Sequence, residues 1–202
     1  MDKTIYFIRH GETDFNQKGI IQGSGVDSDL NEKGREQAQA FFDHYKNEDF
    51  DLLICSALKR SYQTIAPFIE LGIPLKRFAE INEMSWGIFE GKPNSPEMKT
   101  VYAEMISQWD TGNFDARIES GESARELSDR LIAFLEILKK MPEKKILVCT
   151  HGRTLRCMMT VLKGQHLREM ENYRHSNTGL FLTKYQNGKF QVITENDKTH
   201  LS

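Results

Sequence analysis

The sequence predicts an α/β fold in which helices cover both faces of a largely parallel sheet. Strand-like apolar runs alternate along the chain with segments of helical periodicity, as they do in βαβ units. Two of those runs, residues 5–8 and 146–149, are followed within two residues by His-Gly pairs, His10-Gly11 and His151-Gly152. Open α/β sheets bind their ligands beyond the carboxyl ends of the strands. Both pairs therefore lie where a functional site is expected.

The first third of the chain supplies two predicted strands and two predicted helices. The segment 11–30 is a loop containing Gly, Asp and Ser, and it is long enough that we expect it to be functional. Asn31 is placed to cap the first helix, and Pro67 is expected to kink or end the second. In order, the predicted elements are a strand at 3–9, a helix at 32–46, a strand at 51–55 and a helix at 58–71.

The regular alternation is interrupted in the middle of the chain. Residues 84–120 contain several glycines and prolines and both tryptophans. This segment is too short for a core of its own, so we expect an insertion that caps the active face. Ser123 begins a capping-box pattern, and Asn187-Gly188 is a strong hairpin signal. The other predicted elements are a strand at 75–81, a helix from 123 to about 142, a strand at 146–150, a helix at 151–162, and hairpin strands at 178–182 and 190–193.

Composition indicates an ordinary soluble globular protein, and we expect residues 1–202 to form a single domain. The formal net charge is -2, with 27 basic and 29 acidic residues. Neither a basic stripe nor a long apolar segment is evident, so we expect no nucleic-acid or membrane partner. The three cysteines are too few and too unevenly spaced for a disulfide framework. Together with the lack of a signal-peptide pattern, this predicts a cytoplasmic protein.

Four groups suited to phosphoryl transfer follow predicted strands, and a parallel sheet would bring them to one edge. Arginine suits phosphate because its forked donors match two oxygens at once. A neutral imidazole is a nucleophile that needs no base near pH 7. A carboxylic acid can protonate the leaving alkoxide and afterwards activate water. The groups are Arg9-His10, the Ser56–Arg60 segment, Glu83, and Thr150-His151-Gly152.

These motifs resemble those of the histidine phosphatase (phosphoglycerate mutase-like) superfamily. They follow the family's order and span about residues 5 to 180. The matching stretches are Arg9-His10-Gly11 continued by Glu12-Thr13 and Asn16, Ser56 to Arg60 followed by Gln63-Thr64, Glu83 before the Gly87–Gly91 stretch, Gly121-Glu122-Ser123, and His151-Gly152.

The resemblance implies a three-layer α/β/α sandwich and a covalent phosphohistidine intermediate. It makes His10 the nucleophile and Glu83 the proton donor. It also implies that no metal and no cofactor is needed, and that the partner is a small phosphorylated substrate. The predicted phosphoryl-binding residues are Arg9, Arg60 and His151, the last also stabilising the transition state. The predicted substrate contacts are Asn16, Gln22, Gly23, Gly152 and Arg153.

Two features depart from the common family pattern. Ser28-Asp29-Leu30 stands where many relatives have a proline before the leucine. Arg153 follows His151-Gly152 where relatives often carry a small or apolar residue. Arg153 could add a cation to the pocket, or it could point away and pair on the helix surface; our hypothesis is the former.

The favoured function is hydrolysis of a phosphomonoester, such as a sugar phosphate or phosphoglycerate. A cofactor-dependent phosphoglycerate mutase is an alternative, but the insertion is short and lacks a stretch rich in tyrosine and arginine. A sugar bisphosphatase is another, since Lys92, Lys99 or Arg117 could meet a second anion. Asn16 and Gln22 could also simply hold the loop through hydrogen bonds from their side chains to the backbone. The alternative from a different class is a non-catalytic module that binds phosphate or phosphoprotein.

Overall fold

The computed structural model describes residues 2–202. Six strands form one sheet in the order β3-β2-β4-β1-β5-β6. The strands are β1 (Lys3–Arg9), β2 (Leu52–Ser56), β3 (Leu75–Phe78), β4 (Lys145–Thr150), β5 (Leu180–Gln186) and β6 (Lys189–Asp197). The helices are α1 (Asp14–Gln17), α2 (Glu32–Tyr45), α3 (Lys59–Ile69), α4 (Pro96–Asp110), α5 (Ala124–Lys140) and α6 (Gly152–Leu162).

The strands β3, β2, β4 and β1 are parallel, and the β5–β6 hairpin continues the sheet antiparallel. Arg9 lies in register with Thr150, and Cys55 with Cys149. The residues that follow β1, β2 and β4 therefore emerge side by side at one edge of the sheet. The predicted mostly parallel α/β fold is confirmed.

Both faces of the central strands β1, β2 and β4 are buried, which makes three layers. Along β1, Ile5 and Phe7 belong to one core cluster, whereas Tyr6 and Ile8 belong to the other. This alternation with both faces apolar is the pattern of a strand covered on both sides. Helices α2 and α3 pack on the Tyr6 side, and α5 and α6 pack on the Ile5 side, which also receives the insertion.

The two predicted caps, at the starts of α2 and α5, are confirmed. Asn31 Oδ1 accepts the Gly34 N–H at 2.8 Å. Ser123 and Glu126 form a reciprocal capping box at the start of α5. These bonds satisfy N–H groups that have no partner within the first helical turn.

Several predicted elements differ in detail. The strand predicted at 75–81 ends at Phe78, and a 3₁₀ turn, Ala79–Ile81, follows it. The carbonyl at the end of this turn, that of Ile81, accepts from Thr150 Oγ1 at 2.7 Å. Pro67 lies in the last turn of α3, and the helix ends at Ile69, two residues after the proline and two before the predicted end at residue 71. The loop 11–30 contains α1, and the insertion contains α4. A 3₁₀ segment, Leu167–Asn172, has no counterpart in the sequence prediction.

Among the described residues, none of the helices has the length and apolar character to cross a membrane.

Candidate active site

His10 is the first residue after β1 and is held from several sides. Its N–H donates to the Thr150 carbonyl at 3.0 Å, and its own carbonyl accepts from Asn177 Nδ2 at 2.9 Å. Its Nδ1 lies 2.7 Å from the Gly11 carbonyl oxygen. Because a carbonyl can only accept, Nδ1 carries the proton and Nε2 carries the lone pair. Burial, and then the charges of Arg60 and Arg9, hold the pKa of His10 well below its ordinary value.

His151 follows β4, and its tautomer is set by its partners. Arg60 Nε, which can only donate, bonds His151 Nδ1 at 3.2 Å. The proton must then be on Nε2, which lies 2.7 Å from Ser56 Oγ. Ser56 Oγ also accepts the Leu58 N–H and lies 2.7 Å from Ser61 Oγ, which in turn donates to the Leu58 carbonyl. Burial, followed by the nearby Arg60 charge, keeps the pKa of His151 well below its ordinary value.

Arg60 is fully buried in the first turn of α3, and its guanidinium connects three parts of the site. Besides bonding His151, it donates through Nη1 to the Val26 carbonyl at 2.6 Å and through Nη2 to the Gly23 carbonyl at 3.2 Å. The ring centroids of His10 and His151 are 5.1 Å apart. The predicted histidines and Arg60 thus form one cluster at the sheet edge.

Arg9 and His175 each bring a buried nitrogen with no hydrogen-bond partner within residues 2–202. These atoms are Arg9 Nε and His175 Nδ1. Burial lowers the pKa of Arg9 to about 10, and the Glu83 carboxylate opposes that shift. Burial, then the Arg9 charge, lowers the pKa of His175 to about 3. Unsatisfied buried donors and acceptors are costly, so both atoms are suited to bind a ligand, Arg9 Nε as a donor to an oxygen.

Glu83 lies at the amino end of α6, the helix that begins directly after His151. Its Oε2 accepts the Arg153 N–H at 3.1 Å, and its Oε1 accepts from the Thr154 N–H and Oγ1, each at 3.1 Å. The Met84 N–H adds a fourth bond at 2.9 Å. These bonds use the free N–H groups and the positive dipole end of the helix. They fix the carboxyl group beside the phosphoryl-binding cluster.

The predicted loop residues Asn16 and Gln22 take part in hydrogen bonds within the loop. Asn16 Oδ1 accepts the Thr13 N–H at 3.2 Å in a capping box at α1. Gln22 donates to Thr13 Oγ1 at 2.8 Å and accepts from Ser28 Oγ at 2.5 Å. Gln22 also lines the cavity beside the site. Their contact with substrate stays a prediction.

Two predicted glycines allow close approach of other groups. A Cβ on Gly23 would lie 1.9 Å from Glu90 Oε1, and one on Gly152 would lie 2.6 Å from His175 Cε1. Glycine at 152 therefore lets the His175 ring rest against the start of α6. This contact places His175 beside the cluster.

Arg153 lies beneath the insertion instead of on an exposed helix surface. Its guanidinium bonds Glu171 and the Tyr102 hydroxyl. It also lies 5.6 Å from the Trp86 ring centroid and 5.7 Å from that of Trp109. The hypothesis that it adds a cation to the pocket stays a prediction, but the structure pairs that cation with a carboxylate and surrounds it with aromatic rings.

A cavity of about 470 Å³ opens beside Arg9, Gln22 and His175. Volumes in this range are typical of sites for small molecules. The insertion supplies much of its wall, including residues of α4. Together, the site offers a free imidazole nitrogen, buried cations, a carboxyl group and a place for a leaving group.

Comparison with known proteins agrees with this geometry. The profile of the histidine phosphatase superfamily (branch 1) matches residues 5–198. The chain belongs to this superfamily. A Hydrogenobacter thermophilus protein provisionally named phosphoserine phosphatase 2 is 28% identical over 199 residues, covering 98% of this chain and 97% of that protein. A Yersinia pestis protein provisionally named phosphoglycerate mutase GpmB is 31% identical over 187 residues, covering 90% and 85%.

Solved structures of the superfamily share the fold. The α-ribazole phosphatase from Shigella flexneri superimposes with a TM-score of 0.85 at 26% identity, covering 96% of both chains. This histidine phosphatase chain therefore has both the sequence profile and the architecture of its relatives.

Sequence reasoning missed several residues of this histidine phosphatase site. His175 has no strand-His-Gly context, and it reaches the site only because β5 pairs beside β1. Asn177 and Tyr102 likewise depend on contacts distant in sequence. Of these residues, only His175 could have been suspected from the sequence, because it is a histidine a few residues before a predicted strand.

Proposed function

We propose that this chain hydrolyses phosphomonoesters of small metabolites through a phosphohistidine formed on His10. The observation that carries the proposal is the Nδ1 bond of His10 to the Gly11 carbonyl, which leaves Nε2 unprotonated. The lowered pKa of the buried ring keeps it neutral in mildly acidic solution. A neutral imidazole is the form that can attack phosphorus.

In the first step, His10 Nε2 attacks phosphorus as the bond from phosphorus to the ester oxygen breaks. Arg9 and Arg60 stabilise the charge on the phosphoryl oxygens, which is the main contribution expected in phosphoryl transfer. His151 orients the Arg60 guanidinium by accepting its Nε–H. Glu83 protonates the departing alkoxide, so an alcohol leaves. The phosphoryl group is then bonded to His10.

In the second step, water attacks the phosphohistidine. The Glu83 carboxylate takes a proton from that water, the bond between nitrogen and phosphorus breaks, and inorganic phosphate leaves. His10 and the protonated Glu83 are regenerated for the next turnover. The position of Glu83 supports this double role, because hydrogen bonds from Met84, Arg153 and Thr154 hold its carboxyl group at the amino end of α6, the helix that begins directly after His151.

Phosphate release from a panel of phosphomonoesters tests the proposal. Phosphoserine, phosphoglycerates, sugar phosphates and p-nitrophenyl phosphate are assayed in the presence of a chelator, with a coupled mutase assay alongside. We expect release by the wild type and by His44→Ala, which alters an exposed histidine, and loss of at least about 10³-fold in His10→Ala. Release that persists in His10→Ala contradicts the mechanism, and mutase activity without release contradicts the hydrolase assignment.

A further inference from the structure

Half of the residues that line the cavity beside the catalytic cluster are apolar or aromatic. They are the partly or fully buried side chains Ile21, Trp86, Phe89, Met98 and Tyr102. The Trp86 and Tyr102 rings lie 5.7 Å apart at an angle of 55°, so they present two tilted aromatic surfaces. Apolar and aromatic walls of this kind bind ligands through buried surface and ring contacts.

Arginines around the insertion are neutralised by carboxylates. Arg153 and Arg156 bond the two carboxylate oxygens of Glu171, Arg156 at 2.5 Å. Arg117 lies 2.7 Å from a Glu126 carboxylate oxygen. None of these three lines the cavity. A guanidinium already bound to a carboxylate has little affinity left for a second anion.

The remaining cation of the cavity wall outside the catalytic cluster is Lys99, within the part of the chain that the structure describes. It is exposed, as is the neighbouring cavity residue Asn94. Water screens an exposed ammonium strongly. A carboxylate or second phosphate on the leaving group would therefore gain little in this cavity.

We propose that the cavity binds the leaving group of a phosphomonoester whose alcohol is apolar and preferably aromatic. This inference rests on the proposed function and names the substrate class for the same site. The phosphoryl group lies at the Arg9 and His175 end, and the alcohol extends between Ile21, Met98 and the two rings. Compact polar alcohols, such as serine or glycerol, leave the apolar wall without contacts.

The test compares substrates that all leave as alkoxides, so that selectivity reports binding of the leaving group. Benzyl phosphate and 2-naphthylmethyl phosphate are compared with phosphoserine, 3-phosphoglycerate and glycerol 3-phosphate. Burial of one aromatic ring strengthens binding by about tenfold or more. We therefore expect kcat/KM for benzyl phosphate to exceed that for glycerol 3-phosphate by about tenfold or more. Equal or higher values for the polar substrates overturn the inference.

Cavity variants give a second, independent measurement. Met98→Ala removes part of the apolar wall, and Val101→Ala, on the exposed side of the same helix, is its matched control. We expect Met98→Ala to lower kcat/KM for benzyl phosphate by roughly fivefold while changing that for glycerol 3-phosphate less than about twofold. Val101→Ala should change neither. A loss in Met98→Ala that is equal for both substrates contradicts the assigned binding mode.

The outcomes separate this inference from the proposed function. Absence of His10-dependent release from p-nitrophenyl phosphate, whose leaving group departs easily, means that the proposed function itself fails. Release from p-nitrophenyl phosphate that requires His10, together with a preference for phosphoserine or phosphoglycerate over benzyl phosphate, overturns only the substrate class.

Discussion

At the scale of single residues, the hydrogen bonds around His151 assign the proton on each ring nitrogen. Arg60 Nε requires a lone pair on Nδ1, so the Nε2 proton is directed to Ser56 Oγ. Ser56 in turn accepts from the Leu58 N–H and can donate to Ser61. Such a connected network holds the imidazole in one orientation. Ser56 is therefore a positioning residue.

Removing the Ser56 hydroxyl tests this role. Ser56→Ala leaves the His151 Nε2 proton buried without an acceptor, which costs about 1–3 kcal/mol. We expect kcat to fall about tenfold, with partial recovery in Ser56→Thr, which keeps a hydroxyl. Ser128→Ala, at another buried serine, is the control and should keep the wild-type kcat. A Ser56→Ala enzyme with unchanged kcat and unchanged His151 nitrogen chemical shifts would contradict the positioning role.

At the scale of elements, α2 fixes the loop that follows His10. Gly34 in its first turn lies so close to this loop that a Cβ would be 2.0 Å from the Glu12 carbonyl oxygen. The Glu12 N–H donates to Gln37 Oε1 at 2.9 Å, and Asn31 Nδ2 donates to Glu12 Oε1 at 3.0 Å. The helix therefore supports the active-site loop through backbone contact as well as through side chains.

Gly34→Ala tests this contact because two effects on stability have opposite signs. Helix propensity alone predicts a gain of up to about 1 kcal/mol in the free energy of unfolding. The backbone clash predicts a loss of about 2 kcal/mol or more, and we expect the clash to dominate. Urea denaturation measures the difference. Gln39→Ala, exposed on the same helix, should change stability by less than about 0.5 kcal/mol. A stabilised Gly34→Ala protein would contradict the close approach.

Elements with strong local signals were predictable from the sequence. Strand β1 has the predicted bounds, and Asn31 and Ser123 begin helices as expected, because apolar runs and caps are local properties. The site residues that follow strands were predictable for a related reason: parallel strands bring their carboxyl ends together. The position of His175 and the burial of Arg153 were not predictable, since both depend on contacts far apart in sequence.

At the scale of the whole molecule, buried neutral histidines link stability to pH. The pKa values of His10 and His151 lie well below the ordinary value, and burial lowers those of His175 to about 3 and His200 to about 4. Each of these residues binds a proton more readily in the unfolded chain. Their contribution to stability is therefore complete above pH of about 6.5 and is lost as pH falls toward the folded pKa.

Urea denaturation at several pH values tests this linkage. Between pH 6.5 and 5 we expect the free energy of unfolding to decrease as pH falls, by at most about 1.4 kcal/mol per pH unit for each buried histidine. His200→Gln, which retains a polar partner for Thr178 Oγ1, should show a smaller slope than the wild type. A free energy of unfolding that is constant over this range would contradict the neutral, buried state of these rings.

We also propose that residues 1–202 unfold as one domain. The insertion at 84–120 shares a hydrophobic core with α5 and α6, through Trp109 and Phe114 among others. Because the shared core couples these parts, fluorescence of the two tryptophans and far-ultraviolet circular dichroism should give one coincident transition. Separate midpoints would show that the insertion unfolds independently.

We propose that a phosphoryl group is transferred from the substrate to His10 during each turnover. Rapid mixing with excess substrate, quenching in alkali to preserve phosphohistidine, and peptide mass spectrometry would locate the bound phosphate. We predict a transient phosphoenzyme, with phosphate on the peptide containing His10 and none in His10→Ala. Phosphate on another residue, or release of inorganic phosphate with no phosphoenzyme at any time, would contradict the mechanism.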